Sequence, residues 1–156
     1  MGVCQFLDQM LADSNPDIND PVATQNYLSH YPSGSSLREL EHITQCVRSK
    51  NFQRFDFGPL GNLERYGSSV PPTIDISTID GIPIAIFAGE KDLITKLEDT
   101  QWAMAQLTKS LVHYSVHDLG HVSYFIARDM SYFSIDVMDM LFQFMPLHKK
   151  VQELLD

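Results

Sequence analysis

The chain has 156 residues, 44% of them hydrophobic and 20% charged, which is the composition of an ordinary globular domain with room for one core. Eleven Lys and Arg against twenty Asp and Glu leave a net charge of −9, which argues against a nucleic-acid binder that tracks phosphates. No apolar run approaches the roughly 20 residues that span a bilayer, and Met1 to Met10 lacks the layout of a signal peptide.

In chain order, residues 1–26 read as polar and irregular, with one apolar cluster (Val3, Phe6, Leu7, Met10, Leu11) at helical spacing. Asp13 to Pro21 is rich in turn residues, so any helix there is expected to be short. Residues 37–50 read as an amphipathic helix, with Leu37, Leu40, Ile43 and Val47 at intervals of three and four. Ser35 or Ser36 would cap it, with Glu39 in its first turn. Residues 51–81 are expected to form a long loop, broken by Gly58-Pro59, Gly61, Gly67 and Pro71-Pro72.

From residue 82 the texture changes. Ile82 to Ala88 is a continuous apolar run ending at Gly89, as in a parallel strand covered on both faces. Pro83 is tolerable near its start. Leu97 to Leu107 reads as a helix, Leu111 to Val116 as a second strand followed by a turn at Gly120, and Phe133 to Met145 as a final helix. Its stripe is Phe133, Val137, Leu141 and Met145, with Met138 and Phe142 beside it. Strand, helix, strand, helix implies a parallel crossover and an α/β class. Two parallel strands cannot stand alone, so the rest of the sheet is expected from elsewhere.

That layout sets Asp92 just past the carboxyl end of the first strand and His121 just past that of the second. Chemistry in open α/β sheets gathers at this edge. An Asp and a His on adjacent loops there could form an acid–histidine pair, the carboxylate holding the imidazole tautomer while the ring moves a proton. The plainer alternatives are a loop or N-cap carboxylate for Asp92 and a part-buried polar residue for His121. His113, His117 and His121 recur every four residues. On a strand that spacing spans about 13 Å, too far for shared metal ligation, so no metal or other cofactor is expected. Cys4 and Cys46 fit neither a disulfide scaffold nor a four-ligand zinc site, although they could pair. Asp80 before Gly81 reads as a turn residue.

Several stretches resemble the animal acid lipases of the gastric and lysosomal type. Tyr27-Leu-Ser-His-Tyr-Pro-Ser-Gly-Ser-Ser36 is similar to a stretch near the end of that family's lid domain, and Phe52-Gln-Arg-Phe-Asp-Phe-Gly58 to the segment that re-enters the core. Ile82-Pro-Ile-Ala-Ile-Phe-Ala-Gly-Glu-Lys-Asp-Leu93 resembles the strand and turn that carry the triad aspartate. Glu98-Asp99 matches the acidic pair beyond it, and His121 with Phe125 resembles the histidine loop. The resemblance runs from about residue 27 to residue 145.

It implies the C-terminal part of an α/β-hydrolase fold, with residues 1–50 a remnant of the lid and residues 51–156 part of the core. The implied activity is serine ester hydrolysis of acyl-ester lipids, with Asp92 and His121 as catalytic residues in a secreted or lysosomal enzyme. Phe52, Phe55 and Phe57 would pack at the lid–core junction or line an acyl pocket. His30 would be structural.

Two departures bear on this. No Gly-x-Ser-x-Gly occurs in the chain, so the strained elbow of the nucleophile is missing, as are the oxyanion-hole donors that sit beside it and on an earlier loop. The serine precedes the acid and the histidine in this family, so the expectation is that an N-terminal half is absent and that the chain alone is inactive. The other class is a non-catalytic lipid-binding or interaction pseudo-enzyme. The second departure is Ser123, where the family usually carries an acidic residue two places after the histidine. Half a sheet is also expected to expose an apolar edge and self-associate.

Overall fold

Two parallel strands and the helix between them organise the part of the chain that holds Asp92 and His121. A computed structural model describes residues 13–31 and 33–145; Cys4 and the apolar cluster from Val3 to Leu11 lie outside them. Contacts group residues 33–78 into one compact unit and residues 13–31 with 79–145 into another. The lid–core boundary expected at residue 50 falls inside the first of these.

In the second unit, β1 (Ile84–Gly89) and β2 (Leu111–His117) pair in parallel, joined through α4 (Leu97–Gln106), which packs against β1. The register runs from Ala85 opposite His113 to Gly89 opposite His117, so both strands end at the same edge. β1 is less covered than its continuous apolar run suggests. Ala88 is buried while Ile84 to Phe87 are half-buried, and Val112 and Val116 of β2 are exposed. No third strand joins these two among the described residues.

α1 (Pro21–His30) begins inside residues 1–26, the stretch expected to be irregular. The Asp20 carboxylate accepts from the backbone N–H of Val22 and Ala23 at 2.9 and 2.8 Å, and Pro21 occupies the first turn, where its missing N–H costs nothing. Ala23 and Tyr27 of α1 pack on Val122 and Ile126, the buried apolar pair of α5 (Ser123–Ile126) and its cap. Backbone bonds extend this docking: Asp20 N–H to the Ile126 carbonyl at 2.7 Å, and Arg128 N–H to the Ile18 carbonyl at 2.9 Å.

Residues 33–78 contain α2 (Leu37–Ser49) and α3 (Gly58–Tyr66). α2 forms where expected and Ser36 is its N-cap, but the Ser36 hydroxyl makes no capping bond. Its apolar stripe of Leu37, Leu40, Ile43 and Val47 is more than half exposed at every position. α3 is a correction to the long loop expected over 51–81. Pro59 sits in its first turn and Gly67, at φ +70°, ends it. Both residues mark helix boundaries here rather than breaking a helix.

Asn62 anchors this unit. It is almost fully buried, donates to Asp56 Oδ1 at 2.7 Å and the Ser69 carbonyl at 3.2 Å, and accepts from Phe57 N–H at 2.9 Å. Phe55 and Phe57 pack edge to face at 4.9 Å, with the Arg65 guanidinium 4.2 Å from the Phe57 ring centroid.

The final helix departs from a regular α-helix. Tyr132–Val137 is wound more widely, with Met138 N–H reaching back five residues to the Phe133 carbonyl, before α6 (Met138–Phe144) resumes. Phe133, Leu141 and Met145 of the expected stripe are exposed, as is Phe142 beside it.

Candidate active site

Asp92 and His121 sit on neighbouring loops because the strands below them end in register. Glu90 N–H donates to the His117 carbonyl at 2.8 Å, and Lys91 N–H to the Leu119 carbonyl at 3.0 Å, lacing the loop after β1 to the loop after β2. Gly89 makes the lacing possible, since a side chain there would run into the Leu119 carbonyl and the Tyr124 hydroxyl.

His121 Nδ1 lies 3.1 Å from Asp92 Oδ2. The Asp92 side chain is 5% exposed and that of His121 is 40% exposed, so the acid is largely withdrawn from water while the ring stays open to it. Asp92 Oδ1 accepts from the backbone N–H of Ile94 at 2.8 Å and Thr95 at 2.7 Å. Those two bonds fix the carboxylate as a loop-capping group. The other oxygen is then held facing His121. Since the carboxylate can only accept, neutral His121 carries its proton on Nδ1 and leaves Nε2 as the basic nitrogen. Chemically, the pair can take a proton at Nε2 and stabilise the resulting imidazolium.

Tyr124 belongs to the same neighbourhood. Its hydroxyl donates to the Phe87 carbonyl at 3.1 Å, and its pKa is pushed up to about 12, chiefly by burial and next by the charge of Asp92. The phenol therefore remains a proton donor and is unsuited to act as a base. Tyr132 donates to the Tyr124 carbonyl at 2.6 Å, and burial raises its pKa as well.

Ser123, the position that departs from the acid-lipase pattern, is fully buried and donates to the Asp13 carboxylate at 3.1 Å. Asp13 read only as a turn residue in the sequence, and no local signal marks its burial or its partner. A second serine–histidine–aspartate contact occurs at Ser115, His117 and Asp136, with Ser115 Oγ 2.9 Å and Asp136 Oδ2 3.3 Å from the same atom, His117 Nε2. A catalytic triad uses the two ring nitrogens separately, so this contact cannot serve as one. His117 also lines a cleft of about 340 Å³ with Asp17, Arg128 and Tyr132, to which neither Asp92 nor His121 contributes.

The three histidines at fours do not converge. His113 and His117 are on β2 and His121 is beyond it, and no group of three metal-ligating side chains gathers among the described residues. Phe55 and Phe57 pack within residues 33–78, while Phe52 is exposed. No helix among the described residues is long and apolar enough to cross a membrane.

No family model matches the chain. Among individual proteins it is similar to human gastric triacylglycerol lipase, at 34% identity over 104 residues, 66% of this chain and 26% of that protein. It is also similar to human lysosomal acid lipase/cholesteryl ester hydrolase, at 27% identity over 81% of this chain and 30% of that protein. Human lipase member N matches at 33% identity over 72% of this chain and 28% of its own length. The chain thus spans between a quarter and a third of the length of these relatives.

Proposed function

Because this chain is homologous to the acid lipases, we propose that it is the C-terminal portion of a serine ester hydrolase acting on acyl-ester lipids, with Asp92 and His121 as two members of its triad. The observation that carries the reading is the 3.1 Å approach of His121 Nδ1 to Asp92 Oδ2 at the carboxyl ends of adjacent parallel strands. The serine comes from polypeptide outside these 156 residues. His121 Nε2 takes the serine proton as the hydroxyl attacks the ester carbonyl and returns it to the leaving alcohol. Asp92 holds the tautomer and offsets the charge on the ring. Residues 1–50 belong to the lid in this reading, and residues 51–156 to the core. The relatives' names suggest triacylglycerols and cholesteryl esters as the substrate class.

The test is His121→Ala in a polypeptide that also carries a Gly-x-Ser-x-Gly elbow. Ester turnover should fall by several orders of magnitude; unchanged turnover sinks the assignment. One observation favours a second reading, a non-catalytic lipid-binding or interaction protein: the 156 residues contain no such elbow. A serine-directed phosphonate probe applied to the chain by itself should give no labelling. Clear labelling would show that the nucleophile lies within the chain and refute the division of the triad.

A further inference from the structure

A single exposed contact does not hold a ring in place. The His121 ring is 40% exposed and meets Asp92 through one contact, which leaves the backbone on either side of the ring unfixed. The backbone on both sides of His121 has to be fixed by something else.

Asp13 meets that need. It is fully buried, and its Oδ2 accepts from Ser123 Oγ at 3.1 Å and from Asn19 Nδ2 at 3.2 Å. Its Oδ1 is buried with no hydrogen-bond partner among the described residues and lies against Gly120, where any side chain would collide with it. The backbone of Asp13 pairs antiparallel with that of Asp92. Ser14 continues the attachment, its N–H donating to the Lys91 carbonyl at 3.1 Å and its hydroxyl at 3.3 Å. One residue therefore touches the position before His121, the position two after it, and the loop that carries Asp92. Burying a carboxylate with one oxygen unpaired is unfavourable, and a fold retains it only where the arrangement gains something elsewhere.

We propose that Asp13 is a positioning residue, a buried carboxylate that clasps Gly120 and Ser123 to the Asp92 loop and thereby fixes the approach of the His121 imidazole to Asp92. The proposal rests on the reading of Asp92 and His121 as the working pair, and it deepens that reading. Asp13 touches no reacting atom. It acts through the backbone flanking His121. The clasp also gives Ser123 a purpose: its fully buried hydroxyl donates to the Asp13 carboxylate.

The experiment is nitrogen-15 NMR of the histidines in the full 156-residue chain, which reports the tautomer of neutral His121. In the unaltered chain His121 should be protonated on Nδ1. In Asp13→Ala and in Ser123→Ala the signal should move toward the Nε2-protonated form favoured by free imidazole, while the amide shifts of β1 and β2 stay in place. Asp13→Asn keeps an acceptor for Ser123 and should restore the Nδ1 form, a rescue that a general loss of stability would not produce. Retention of the Nδ1 form in both Asp13→Ala and Ser123→Ala overturns the proposal. Should Asp13→Ala fail to fold, Ser123→Ala alone decides the matter in the same two directions. Ester turnover is a separate readout: unchanged turnover in His121→Ala would sink the catalytic reading and leave the tautomer result standing.

Discussion

Tyr124 donates its phenolic proton to the Phe87 carbonyl at 3.1 Å, within the electrostatic reach of the Asp92 carboxylate. Burial and then the Asp92 charge raise its pKa from 10.0 to about 12. The folded state holds this proton more tightly than the unfolded chain does. The stabilisation is complete below pH 10 and is lost as the pH rises through about 12. Tyr132, raised by burial, adds in the same direction. The urea midpoint should therefore fall across this alkaline window, and Tyr124→Phe should flatten the fall while costing about 1 kcal/mol at neutral pH for the lost hydrogen bond. An equally steep fall in the variant would show that other groups set the alkaline limit.

Asp92→Asn separates the two duties of this side chain. The amide oxygen can keep the backbone bonds to Ile94 and Thr95, which leaves the amide nitrogen facing His121 Nδ1. That nitrogen only donates, so it selects the wrong imidazole tautomer. In a polypeptide carrying the serine, kcat should drop by roughly 10⁴-fold with little change in thermal stability. A loss of activity that merely tracks a loss of folded protein would argue that Asp92 is structural alone.

Asn62→Ala should destabilise residues 33–78 by about 2–3 kcal/mol, since it leaves the Phe57 N–H and the Ser69 carbonyl without their buried partner. Amide hydrogen exchange across residues 33–78 would read this loss directly. Asn62→Asp should cost at least as much: it keeps an acceptor for the Phe57 N–H but sets a buried carboxylate against Asp56 Oδ1 and the Ser69 carbonyl with no proton to donate.

The apolar stripe of α2 and the exposed side chains Phe133, Leu141 and Phe142 leave considerable apolar area in water. We expect the chain alone to associate with itself, and light scattering should show a mass that rises with concentration. A monodisperse 17.7 kDa species at high concentration would refute this.

The sequence was most readable where one physical signal dominated. β1 emerged from a continuous apolar run closed by Gly89, β2 from a shorter stretch before the turn at Gly120, and α4 from its place between them, so the meeting of Asp92 and His121 came from two strands ending at one edge. α1 and α3 were missed for a common reason. Asp20-Pro21 and Gly58-Pro59 carry turn chemistry, and both serve here as the first turn of a helix, a distinction set by the downstream residues and by the surface the helix packs against. The widened turn at Tyr132–Val137 had no signature in an otherwise helical pattern. Asp13 had no local signature, because the contacts that tie it to the site, with Asp92, Gly120 and Ser123, are all tertiary.

The separation along the chain of the two bonds at the site has a kinetic consequence. Asp92 and His121 are 29 residues apart, within one strand–helix–strand unit, whereas Asp13 and Ser123 are 110 apart. Closing the longer loop costs about 1.2 kcal/mol more in chain entropy, so the strand unit should assemble early and the strap of residues 13–31 dock onto it late. Undocking would reverse that order. The strap would peel away before the strands part, and amides flanking His121 would exchange with solvent ahead of those in β1 and β2. A site built in this way has its own opening equilibrium, and substitutions in the strap could change it without weakening the sheet beneath.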